Sequence, residues 1–363
     1  CCLLHDDLAG SAFHVVRAAE SSGEKTYALR IRLARRFLEF GRPGEALGLV
    51  RGLWEEPKVG AEALAVLVWA NGAVGDVATA QTILDRLQQQ VQNDEAWRAK
   101  LGVLRGLLFA LQGQKEQAQA ELGRVLEEPS ANLDIARMVA EVLLSLHGEE
   151  EAGRYLENYV THSRRDVEGL MALAVFQYRM GSARSTARCI STLSELLFDA
   201  PAYVPALRLL AETLLLRGES GQAAAVCDRL LTADPEDASA WFAKSRALFQ
   251  MPTQKAAALD AVTSAIRLMP LPEFYYFRGT IYMARAEYGA ARSDLEQAAS
   301  TMSRTPADLD LRLARVYVAV GDSRRAASLF DAASQKAQKT GETLDPILYR
   351  EVQQELQKTP KTS

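Results

Sequence analysis

Cross-links and helix breakers are scarce in this chain. Of 363 residues only 4 are cysteine, 12 proline and 23 glycine. So few breakers exclude collagen-like and proline-rich classes, and so few cysteines exclude a disulfide scaffold. Histidine is equally thin at 4 residues. His147 precedes Gly148 and His162 sits near the end of the following helical stretch, where the helix dipole favours a cation, so both read as helix-terminal residues. No P-loop, HExxH, GxGxxG or GxSxG pattern stands in its required context. The acidic side chains fall on the solvent faces of helical patterns. The sequence therefore reads as non-enzymatic, with no metal and no cofactor. Positive charge is not in excess either: the net charge is -4 and the pI about 5.8. That balance lacks the electrostatic footprint of a nucleic-acid binder. The longest apolar stretches, such as Leu101 to Gly113, are interrupted (here by Arg105) and fall short of the roughly 20 residues of a membrane span. The period-two alternation of strands is missing throughout.

What is abundant is alanine and leucine, 58 and 50 residues. Both are strong helix formers, so a mostly helical chain follows. A small or turn-forming residue then recurs after each apolar helical run, at Gly41, Gly75, Gly113, Gly148, Gly181, Gly218, Pro252, Ala286 and Gly321. The spacings are 34, 38, 35, 33, 37, 34, 34 and 35 residues. A fixed period in this range marks a repeat array. Between Val204 and Pro235 one helical stripe carries Leu207, Leu210, Ala211, Leu214 and Leu215. Gly218 supplies a left-handed stop, and a second stripe carries Ala223, Val226, Cys227, Leu230 and Leu231. Asp234-Pro235 closes the unit, because a residue before proline avoids the helical region.

These units resemble tetratricopeptide repeats. The match is best from Pro272, with Tyr275, Gly279, Tyr282, Tyr288, Ala291, Leu295 and Ala298 in the family's pattern. It continues from Ala307 (Ala314, Tyr317, Gly321, Ala326, Phe330, Ala333), from Ala238 (Trp241, Leu248, Ala258, Val262, Ala265, Pro270) and from Ala99 (Gly106, Phe109, Gly113, Ala118, Leu122, Pro129). The first, second, fourth and fifth units match less well, with Gly153 and Thr186 standing where alanine is expected. The resemblance implies an all-α fold: a right-handed superhelical solenoid of about nine hairpins, its concave groove lined by the first helix of each unit. Such stacks bury each hairpin against its neighbours and need polar ends.

Three segments are expected: an N-terminal lone helix over 1–24, a cap or a truncated repeat; the array over 25–340; and a capping helix and tail over 341–363. In the last segment, Arg350, Gln353, Gln354, Gln357 and Lys358 suit a solvent face. Cys189 and Cys227 fall on packing positions and read as small buried hydrophobes. Cys1 has two readings. It is the lipid-bearing residue of a bacterial lipoprotein, or it marks an arbitrary cut in a longer chain. Cys1-Cys2 with His5 and His14 match no zinc spacing.

Function follows from shape. The resemblance implies a protein-interaction scaffold that holds a partner peptide or helix in its groove. Inward positions of the last three units are Phe242, Arg246, Phe249, Tyr276, Thr280, Met283, Leu311 and Arg315. Aromatic side chains beside arginine are the usual anchors of peptide binding, though some of these could equally pack between helices. The co-chaperone carboxylate clamp of the family has no match at these positions. The high-Ala, high-Leu, high-Arg character resembles bacterial repeat proteins. With Cys1 it points to an envelope assembly or export factor (polysaccharide, pilus or secretion), in the cytoplasm or at the cell envelope. The alternative is the repeat segment of a larger regulatory or sensor protein. Arg30, Arg32, Arg35 and Arg36 crowd one helix and read as a solvated face paired with Glu39 and Glu45.

Overall fold

The computed structural model describes residues 26–358, apart from 57, 128–131, 164 and 303–304. The expected helix over 1–24, Cys1, Cys2, His5, His14 and the tail beyond 358 lie outside the described residues. Every regular element among the described residues is helical. Packing divides the chain after Thr213 into two compact units.

In the N-terminal unit α1 (Tyr27–Glu39) pairs with α2 (Pro43–Val50), α3 (Ala61–Ala73) with α4 (Val77–Gln90), and α5 (Arg98–Leu111) with α6 (Lys115–Glu127). Next come α7 (Leu133–His147) with α8 (Glu149–His162), and α9 (Val167–Met180) with α10 (Ala183–Asp199). The division falls within α11 (Val204–Leu216), which Gly218 joins to α12 (Ser220–Ala233). In the C-terminal unit α13 (Ala238–Phe249) pairs with α14 (Lys255–Leu268), α15 (Pro272–Ala284) with α16 (Tyr288–Thr301), and α17 (Ala307–Ala319) with α18 (Ser323–Thr340). The last helix is α19 (Pro346–Lys358). All nine expected turns thus fall between successive helices.

Seven of those turns place glycine at positive φ, between +67° at Gly181 and +89° at Gly75. The left-handed region costs a side chain roughly 1–2 kcal/mol and glycine almost nothing. Ala286 occupies the same region at φ 60° and bears that cost. Ala286→Gly is therefore expected to stabilise the C-terminal unit by about 1 kcal/mol. Urea unfolding checks this: an unchanged or lowered midpoint would show that the turn is not strained.

Five residues after most turns stands an alanine that lets the two helices meet. Ala46, Ala80, Ala118, Ala223, Ala291 and Ala326 are all fully buried. Gly153 and Thr186 do not fill this position. A single residue, Gly148, separates α7 from α8, and only Gly181 and Ser182 separate α9 from α10, where other glycine turns use three. The register advances by one, so Ala152 and Ser185 are the fully buried residues here, with Gly153 buried beside Phe176. Ser182 caps α10 by accepting from the Ser185 amide at 3.1 Å, which makes the short turn viable.

At the C-terminal end, Leu348 and Val352 of α19 close over Leu311, Ala314, Phe330 and Ala333. Arg350, Gln353, Gln354, Gln357 and Lys358 are exposed, so α19 presents a polar outer face. Cys189 and Cys227 are buried thiols, not disulfide-bonded. Burial pushes the Cys189 thiol up to about 11, which keeps it protonated and inert.

Candidate partner-binding surfaces

In the C-terminal unit the candidate surface is carried by successive first helices α13, α15 and α17. Two of the eight expected groove residues leave it. The Phe242 ring packs 4.6 Å from Phe274 and edge-on to Phe277 at 5.4 Å, inside the core between α13 and α15. Leu311 is fully buried under Phe330 and α19. Phe242 reaches the first helix of the next hairpin and Leu311 is covered by α19, so both belong to the interior.

The other six are half-buried: Arg246, Phe249, Tyr276, Thr280, Met283 and Arg315. Phe249 stands edge-on to Phe277 at 5.5 Å. Met283 packs against both of the last two hydrophobic clusters of the unit. Thr280 turns its hydroxyl to the Tyr276 carbonyl at 3.0 Å. Tyr276 donates its own hydroxyl to Asp308, and Arg312 Nε donates to that hydroxyl at 2.9 Å and to Asp308 Oδ2 at 2.6 Å. Burial pushes the Tyr276 phenol up to about 12, with Arg312 pulling it down and Asp308 up. It is a fixed hydrogen-bonding post that does not titrate near neutral pH. The Arg315 guanidinium lies 5.2 Å from the centre of the Tyr288 ring, with Glu351 at 3.6 Å. Phe277 and Tyr288, half-buried beside these residues, are not among the expected groove positions; Phe277 stands three residues before Thr280, on the same face of α15.

Behind this surface a third arginine is locked. Arg278 grips Asp294 with Nε at 2.7 Å and Nη2 at 2.8 Å. Its guanidinium lies between the rings of Tyr275 and Tyr282, 5.5 and 6.0 Å from their centres. The Asp294 hydrogen bonds hold Arg278 above its ordinary pKa against the opposing effect of burial.

The N-terminal unit holds an arrangement the sequence did not reveal. Glu39 of α1 pairs with Arg137 of α7 at 2.9 Å, and Arg35 pairs with Asp134 of α7 and Glu62 of α3, both at 2.7 Å. Lys100 of α5 reaches Glu62 at 2.7 Å. Arg179 of α9 donates to the Glu39 carbonyl at 3.2 Å and to Glu141 of α7. The expected solvated arginine face on α1 is thus corrected. Arg36 does pair with Glu39, but Glu45 pairs with Arg42, and Arg35 turns into this network. The Glu39 and Arg137 side chains are only 6% and 14% exposed. Trp69 is buried beside them, and two cavities of about 20 Å³ flank Arg137, each with room for about one water.

His147 and His162 are the last residues of α7 and α8, and the His162 Nδ1 lies 2.7 Å from the Asn158 carbonyl. Among the described residues no group of His, Cys, Asp and Glu is arranged to hold a metal ion. No described helix is long and apolar enough to cross a membrane.

No protein-family model matches the sequence, and no curated protein matches it. Solved structures are similar to it at low identity. A tetratricopeptide repeat protein from Parabacteroides merdae ATCC 43184 is 18% identical with a TM-score of 0.44, covering 70% of this chain and 98% of its own. MamA from Desulfovibrio magneticus RS-1 is 20% identical with a TM-score of 0.41, covering 46% of this chain and 93% of its own. A thermophilic tetratricopeptide protein of Thermus thermophilus, TTC0263, is 21% identical with a TM-score of 0.41, covering 53% and 100%. The hairpin architecture rests on this chain's own helices and turns.

Proposed function

We propose that the chain is a non-catalytic protein-interaction scaffold whose partner lies along the first-helix face of the C-terminal unit. The observation that carries this reading is the set of half-buried anchors on α13 and α15, namely Phe249, Phe277 and Met283, with Arg246 and Arg315 half-buried on α13 and α17. Aromatic, methionine and arginine side chains held at the edge of a packed core contribute most of the energy in protein interfaces. Arg315 is held by Tyr288 and Glu351, so it loses little freedom on meeting a ligand. A peptide or an amphipathic helix is the form of partner that such a set of anchors fits. The narrower readings, an envelope assembly or export factor and a segment of a larger regulatory protein, would be separated by who that partner is.

A photo-crosslinking residue at Thr280, in the source cells, is expected to trap a defined protein. The same residue at exposed Gln297 on α16 is expected not to trap it. Met283→Glu should then weaken the captured complex at least about tenfold, some 1.4 kcal/mol. Identical capture at both positions, or an affinity unmoved by Met283→Glu, would remove this surface from consideration.

A further inference from the structure

Repeat arrays are held by contacts between neighbouring hairpins. The N-terminal unit has contacts that skip neighbours. Glu39, in the first hairpin, meets Arg137 in the fourth at 2.9 Å, 98 residues away. Arg35 meets Asp134 at 2.7 Å, and Arg179 of the fifth hairpin reaches back 140 residues to the Glu39 carbonyl at 3.2 Å. The Arg179 side chain also lies against the Gly41 turn, within 2.9 Å of where a Cβ on Gly41 would stand. Each of these links is carried by an arginine. The packing of each hairpin on its neighbour is made by other contacts.

We propose that this network is a clasp that shuts a protein-binding site on the inner face of the N-terminal unit, with the first hairpin as its occupant in cis. Release takes the carboxylate away from Arg137 and the carbonyl away from Arg179, and bares Trp69 and Phe176, which line the space beside them. The uncovered surface is apolar with two arginines. Its complement is a partner segment that presents a carboxylate beside apolar side chains, as Glu39 presents its carboxylate to Arg137 now. This site is separate from the C-terminal surface and stands or falls without it.

The test uses the full chain with spin labels at Arg32→Cys and Ser145→Cys, both exposed, and with Cys1 and Cys2 changed to serine. Pulsed electron resonance should give one distance in this background. Glu39→Gln should add a longer-distance population at unchanged helicity, and Arg137→Gln, which breaks the clasp from the other side, should do the same. A synthetic peptide of residues 34–42 should bind the Glu39→Gln chain at least tenfold more tightly than the unaltered chain, and its own Glu39→Gln version should lose that gain. A single unchanged distance in both variants overturns the clasp. A longer-distance population with no difference between the two peptides overturns the binding site.

Discussion

Asp294→Ala is expected to destabilise the C-terminal unit by about 3–5 kcal/mol, the range for removing one partner of a buried ion pair. The geometry explains why. The Asp294 side chain is 8% exposed and receives two parallel hydrogen bonds from Arg278, itself 18% exposed and lying between Tyr275 and Tyr282. Once the carboxylate is gone, the guanidinium keeps its charge, because arginine does not deprotonate in proteins. It must then stay desolvated between two rings or break out of the packing between α15 and α16. The double variant Arg278→Met with Asp294→Leu should recover most of the loss, since an apolar pair of similar volume removes both charges together. Urea unfolding followed by circular dichroism measures both. A loss below about 1 kcal/mol for Asp294→Ala would mean the pair behaves as a solvated surface bridge.

Leu295→Ala should cost about 2–5 kcal/mol, and its effect is tied to the glycine it faces. Leu295 is fully buried, and a Cβ on Gly279 would stand 2.8 Å from its Cγ and 2.9 Å from its Cδ2. Gly279→Ala alone should cost about 1–3 kcal/mol through overpacking. Together the two changes exchange a methyl on α15 for space on α16, so the double variant should be more stable than the sum of the single losses by about 1 kcal/mol or more. Strict additivity in the cycle would show that the close approach of α15 to α16 does not depend on this pair.

The hairpins were legible because the signals that make them are local. Gly41 and Gly321 each end a helix within a few residues of the apolar stripe they terminate, and alanine at a fixed distance beyond the turn identifies the contact face. The shifted register at Gly148 and Gly181 was missed because it depends on how many residues the turn needs, which only the backbone reveals. The errors in the groove were errors of direction. The spacing places Phe242 and Leu311 on the inward face, yet α15 covers the first and α19 the second. The inner network of the N-terminal unit was not readable at all. Arg137 has Asp134 one turn away, at 3.6 Å in the structure, which makes it look locally satisfied. Its main partner Glu39 lies 98 residues earlier, and no pattern in the chain links them.

The reach from Glu39 to Arg137 also sets a count. The two residues meet across three hairpin steps, so whether they meet depends on how many steps lie between them. Removing or duplicating one hairpin between α2 and α7 would carry Arg137 past its carboxylate, however well the new neighbours packed. The N-terminal unit therefore measures its own length: it tolerates drift in sequence but not in the number of units. The C-terminal unit, whose ion pairs Arg278–Asp294 and Lys336–Asp310 stay within single hairpins, carries no such gauge in those pairs and is the place where units could be gained or lost.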